Sequence, residues 1–102
     1  MSAAPTDPQP VNASRESVEI TNQRGLHARA SAKFVNMVAA LPESLLVTVS
    51  KDGTEAVGGS ILGLMMLGAA KGDTIEICVT GDCAEAALAQ LTQLVKDRFG
   101  EE

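Results

Sequence analysis

The chain has 102 residues, enough for one small domain, and 45% of them are hydrophobic, enough for a core. Eight basic residues against thirteen acidic ones give a net charge of −5, and with two Phe, no Trp and no Tyr there is little for bases to stack on, so a nucleic-acid partner is excluded. The longest uncharged run, residues 56–70, contains four glycines and falls short of the roughly 20 apolar residues a membrane helix needs, so the expectation is a cytoplasmic monomer that does not engage a membrane.

Residues 1–14 contain Pro5, Pro8 and Pro10 but neither the basic start nor the apolar stretch of a signal peptide. They are expected to form a disordered leader to a single domain over 15–102. Residues 17–21 alternate apolar and polar, which predicts a strand with one buried face. Residues 22–25 turn the chain, and from 27 to 41 Phe34, Val35, Val38 and Leu41 recur at helical spacing until Pro42 stops the helix. Residues 45–50 alternate again. Lys51-Asp52-Gly53 follows as a hairpin signal, with 54–57 as the return strand. Gly58-Gly59 breaks that strand, Ser60 can cap a short helix from 61 to about 67, and Gly68 ends it.

After the turn Lys71-Gly72-Asp73, residues 74–79 are the cleanest strand, with Ile75, Ile77 and Val79 inward. Asp82, with Glu85 three residues on, reads as a capping box for a last helix. Ala84, Ala87, Leu88, Leu91, Leu94 and Val95 line one face of that helix, which Gly100 closes. The order β-α-β-β-α-β-α predicts an α+β open-faced two-layer sandwich: a four-stranded antiparallel sheet covered on one face by three helices, with Glu19, Thr48 and Glu76 on the watered face.

His27 is the only histidine, and it stands where a glycine turn opens into a helix. Free backbone N–H groups and the positive end of the helix dipole gather there and favour a phosphate. Arg24, Arg29 and Lys33 are the only charged residues between Ile20 and Pro42, and the planar fork of Arg29 suits phosphate oxygens. No carboxylate lies near His27 in sequence, and no second catalytic group can be named. Neutral imidazole is itself nucleophilic, so a phosphoryl carrier fits these residues better than a free-standing enzyme. Cys78 and Cys83 match no zinc or redox spacing, and neither a metal nor a cofactor is expected.

The short helix Ile61-Leu62-Gly63-Leu64-Met65-Met66-Leu67 is apolar all round. Leu64 and Leu67 are assigned to the core; Ile61, Leu62 and Met65 are assigned to a partner-docking surface. A second reading follows from that surface: a non-catalytic regulatory module that acts through the Ile61–Met65 face, with His27 only a cap.

Gly25-Leu26-His27-Ala28-Arg29 resembles the active-site signature of the HPr family, the histidine-containing phosphocarriers of the bacterial phosphotransferase system. Residues 59–67 resemble that family's regulatory-serine helix, and Lys71-Gly72-Asp73 resembles the turn after it. The resemblance implies a phosphoryl group received on the δ1 nitrogen of His27 from enzyme I and passed to an enzyme IIA of sugar or nitrogen type. It also implies phosphate stabilisation by Arg29, and Ser60 as the site that an HPr kinase/phosphorylase modifies in some bacteria. Ala30 stands where the family usually has proline, and Gly58-Gly59 where many relatives are polar or basic. With its Leu-Met-Met-Leu helix, the chain resembles the nitrogen-type and alphaproteobacterial branch more than the sugar-type proteins of enteric bacteria.

Overall fold

The computed structural model describes residues 13–101. Four strands, β1 (Ala13–Glu19), β2 (Leu46–Lys51), β3 (Thr54–Val57) and β4 (Thr74–Thr80), and three helices, α1 (Ala28–Ala39), α2 (Ile61–Met66) and α3 (Ala84–Lys96), follow the expected order. A short left-handed turn, Arg98–Gly100, precedes the last described residue, Glu101. The sheet is antiparallel throughout, in the order β1-β4-β2-β3.

The register explains which residues go inside. Val18 faces Ile75 across β1 and β4, and Val47 and Val49 face Val79 and Ile77 across β2 and β4. These side chains form the floor of the core, on which Phe34 of α1, Leu64 of α2 and Leu91 and Val95 of α3 are buried. The β2–β3 hairpin turns at Asp52 and Gly53, both at positive φ (51° and 86°), the conformation that makes Asp-Gly a hairpin dipeptide. Leu46 and Val57 lie on the uncovered sheet face and stay exposed.

Three expectations are corrected. Strand β1 begins at Ala13, so Ala13 and Ser14 belong to the sheet rather than to a leader; residues 1–12 of that leader lie outside the described residues. The alternation fails there because Ser14 and Glu16, although they face Val79 and Ile77, sit on an edge strand. From that edge the Glu16 carboxylate reaches Lys96 Nζ of α3 at 3.6 Å. The N-cap position of α3 is Cys83, in the left-handed region (φ 64°, ψ 29°), so the proposed Asp82–Glu85 capping box is out of step by one residue. Finally, α3 ends at Lys96 rather than running to Gly100. Arg98 and Phe99 then both take positive φ, and the Phe99 ring is fully buried in the core.

Among the described residues Cys78 and Cys83 are free thiols, no cluster of three or more His, Cys, Asp or Glu could hold a metal, and no helix is long and apolar enough to cross a membrane.

Candidate functional site

The turn before α1 is built around Gly25. Its φ of 64° is left-handed, and a Cβ there would stand 2.3 Å from the Ala69 carbonyl oxygen and 2.8 Å from Ala70 Cα. That close approach lets Leu26 N–H donate to Ala69 O at 2.9 Å, which ties the turn to the loop after α2. Leu26 and Ala30 are buried, and Ser31 Oγ donates back to Leu26 O at 3.2 Å. Hydrophobic anchors on both sides therefore fix the residue between them.

That residue is His27, and it is the N-cap of α1. Its backbone is extended, its carbonyl accepts the first helical bond from Ser31 N–H at 2.9 Å, and its Nδ1 accepts from Arg29 N–H at 3.3 Å. The functional and the structural readings of a helix-start histidine are thus both present: the ring caps the helix and also sits at its anion-favouring end. The side chain is one-fifth exposed. Arg29 lies on the first turn, exposed, and its side chain makes no ion pair among the described residues.

The second ring nitrogen meets a group that sequence reasoning missed. His27 Nε2 lies 2.9 Å from Glu101 Oε2 and 3.3 Å from Oε1. The fully buried Asn22 holds this carboxylate in place: its Nδ2 donates both to Gly25 O (2.9 Å) and to Glu101 Oε1 (3.1 Å). Lys33 Nζ donates to Phe99 O at 2.7 Å, two residues before the carboxylate. Burial would raise the carboxyl pKa of Glu101, but the hydrogen bonds from Asn22 and His27 and the charges of His27 and Lys33 outweigh it and hold the pKa below its usual value. The statement that no carboxylate neighbours His27 is therefore true of the sequence and wrong for the fold. Only the isolated Phe99 after a polar stretch hinted that the chain end returns to the core.

Ser60 caps α2, its Oγ accepting from Gly63 N–H at 2.9 Å. Leu64 and Leu67 are buried as expected, whereas Ile61, Leu62 and Met65 are exposed. Met66, not assigned to that surface from the sequence, is 74% exposed and extends it. Helix α2 packs beside α1, and Ser60 makes no hydrogen bond to His27 or Arg29 among the described residues.

The fold and the site together define a small, single-histidine α+β sandwich, with the imidazole presented at a helix N-terminus. Residues 14–97 match the family described as the PTS HPr component phosphorylation site. The chain is 44% identical to the phosphocarrier protein HPr of Neisseria meningitidis over 87 residues, covering 85% of this chain and 96% of that protein. It is 38% identical to the phosphocarrier protein NPr of Escherichia coli K12 over 88 residues, covering 86% and 97%. Among solved structures, HPr-C-His from Thermoanaerobacter tengcongensis superposes with a TM-score of 0.81 at 36% identity, covering 87% of this chain and 98% of that one. HPr from Bacillus anthracis gives 0.75 at 31%, covering 81% and 96%. The chain belongs to the HPr family and is a phosphocarrier of the phosphotransferase system.

Proposed function

We propose that His27 is the residue that carries the phosphoryl group, receiving it from phosphorylated enzyme I and passing it to an enzyme IIA. The observation that supports this most is the Arg29 N–H donated to Nδ1. A backbone amide can only donate, so Nδ1 holds a lone pair at the positive end of α1. In transfer that lone pair forms the N–P bond while the donor's bond to phosphorus breaks and its electron pair returns to the donor. The second transfer reverses the step onto the acceptor's nucleophile. Arg29, exposed and unpaired among the described residues, stabilises the phosphoryl oxygens by charge and planar geometry. Ile61, Leu62 and Met65 form the surface that partners desolvate.

Ser60 is proposed as a regulatory phosphorylation site beside that surface. A phosphate there carries about −1.5 to −2 charges at a helix N-terminus, which the fold tolerates, so its cost falls on partners. Of the two kinds of relay, Ala30 and the Leu-Met-Met-Leu helix support a nitrogen-type regulatory role over bulk sugar uptake; comparing transfer to enzyme IIA proteins of each type decides between them.

The carrier reading is tested by incubation with phosphoenolpyruvate and enzyme I. Wild type gains an acid-labile, base-stable phosphate, His27→Ala folds but gains none, and Arg29→Ala gains it slowly. Incorporation into His27→Ala at the wild-type level overturns the assignment. Ser60→Asp keeps its thermal stability but binds enzyme I more weakly than Ser60→Ala; equal affinities leave Ser60 as a cap alone. The alternative, a regulatory module acting through α2 with His27 only a cap, is what a wild type that takes no phosphate would indicate.

A further inference from the structure

We propose that Glu101 is a positioning residue for His27: it holds the ring as the Nε2–H tautomer, keeps the Nδ1 lone pair facing the α1 N-terminus, and balances the charge the ring acquires when Nδ1 takes a phosphoryl group. The first part stands on geometry alone; the last rests on the carrier reading given above.

The two ring nitrogens have partners of opposite kind. Nδ1 faces a donor, the Arg29 amide at 3.3 Å, and Nε2 faces acceptors, the Glu101 oxygens at 2.9 and 3.3 Å. Only one neutral tautomer satisfies both, with the hydrogen on Nε2 and the lone pair on Nδ1. The opposite tautomer would set Nδ1–H against an N–H and a bare Nε2 against a carboxylate.

The carboxylate is not a loose terminal group that happens to pass nearby. Its side chain is 15% exposed, and Asn22 holds it with an amide whose other hydrogen is spent on the Gly25 turn, so one buried side chain positions both the histidine's turn and its partner. Phe99, fully buried, and its carbonyl bond to Lys33 fix the backbone two residues earlier. Three successive positive-φ residues, Arg98, Phe99 and Gly100, turn the chain so that Glu101 meets the ring.

Charge conservation gives the pair its role in transfer. When the neutral ring attacks through Nδ1, no proton leaves: Nε2 keeps its hydrogen and the ring becomes cationic as the N–P bond forms. The Glu101 carboxylate already lies against Nε2–H, so that charge is compensated with no reorganisation. When the phosphoryl group departs, the N–P electron pair returns to Nδ1 and the ring is neutral again. Glu101 touches neither phosphorus nor its oxygens in this scheme and acts only through the imidazole.

The test uses the full-length chain labelled with ¹⁵N and reads the His27 ring by long-range ¹⁵N–¹H correlation, in the alkaline range where its shifts no longer change with pH. Wild type is expected to show a bare Nδ1 and a protonated Nε2, with a ring N–H signal protected from solvent exchange. Glu101→Ala should lose that protected signal and drift towards a tautomer mixture. Glu101→Gln, whose side-chain oxygen still accepts, should restore the tautomer without the charge. Phosphoryl acceptance from enzyme I should fall about tenfold in Glu101→Ala, the scale of one charge-assisted hydrogen bond, and Glu101→Gln should accept faster than Glu101→Ala but more slowly than wild type. Ring shifts and N–H protection in Glu101→Ala equal to wild type overturn the tautomer role, and equal transfer rates overturn the charge role. A wild type that takes no phosphate refutes the carrier reading, while the ring spectra still decide what Glu101 does.

Discussion

At the scale of single residues, the site depends on a hydrogen atom at Gly25. A methyl there would collide with backbone at Ala69 and Ala70, which cannot swing aside as a side-chain tip could, and φ of 64° is itself unfavourable for an L-residue. Gly25→Ala is therefore expected to cost about 3 kcal/mol or more, read as a lower midpoint in urea, and to slow phosphorylation of His27 because the turn that aims it moves. An unchanged midpoint would show that the Ala69 loop yields freely. Gly25, His27 and Arg29 were legible because their chemistry is local: a turn glycine, a helix start and a cation fall within five residues. Glu101 was not. It lies 74 residues from His27 in sequence, in no periodic pattern, and its approach depends on left-handed backbone at Arg98 and Phe99, residue types that do not announce it.

At the scale of elements, the same contrast separates strands and helices from their ends. The interiors of β2, β4, α1 and α3 followed apolar spacing closely, because their buried faces are what that spacing records, while β3 and α2 were legible from the hairpin, cap and glycine residues that bound them. The start of β1, the cap of α3 and the segment after it did not, because edge-strand polarity, a left-handed Cys83 and the return of Phe99 are set by tertiary contacts. The C-terminal segment shows how such a departure is sustained. Left-handed non-glycine residues cost about 1–3 kcal/mol each, offset by burial of a Phe ring at about 1.5–3 kcal/mol and a charged hydrogen bond of about 1.5–3 kcal/mol from Lys33. Glu101 adds a pH-dependent part. Its pKa in the folded protein lies below the usual carboxylate value of 4.5, so the unfolded chain binds this proton more readily. The stabilisation is therefore complete above about pH 4.5 and lost as pH falls through the lower folded value. In thermal unfolding, wild type should exceed Glu101→Gln at about pH 5, and the margin should shrink below about pH 4. A margin that does not change with pH would mean that shape, not charge, holds the segment.

At the scale of the whole molecule, charge is distributed against the net. The protein carries −5, yet from Ile20 to Pro42 the only charges are Arg24, Arg29 and Lys33, and beside them α2 exposes Ile61, Leu62, Met65 and Met66. On the proposed docking surface, basic and apolar side chains of an otherwise acidic protein would favour one orientation of approach by a partner surface that is itself acidic. The two parts of that surface respond differently to salt. Attraction between exposed charges is screened over about 8 Å at physiological ionic strength, whereas desolvation of Leu62 and Met66 is not. Affinity for enzyme I is therefore expected to fall as salt is raised, through a slower association rate. Arg24→Gln with Arg29→Gln should flatten that dependence. Leu62→Ser with Met66→Ser should weaken binding at every salt concentration, mainly through faster dissociation, and leave the slope against salt unchanged. Association and dissociation rates measured on immobilised enzyme I across a salt series separate the two contributions. Apolar variants that change the slope, or charge variants that leave it intact, would mean that the docking surface is not divided in this way between charges at and before the start of α1 and apolar contacts of α2.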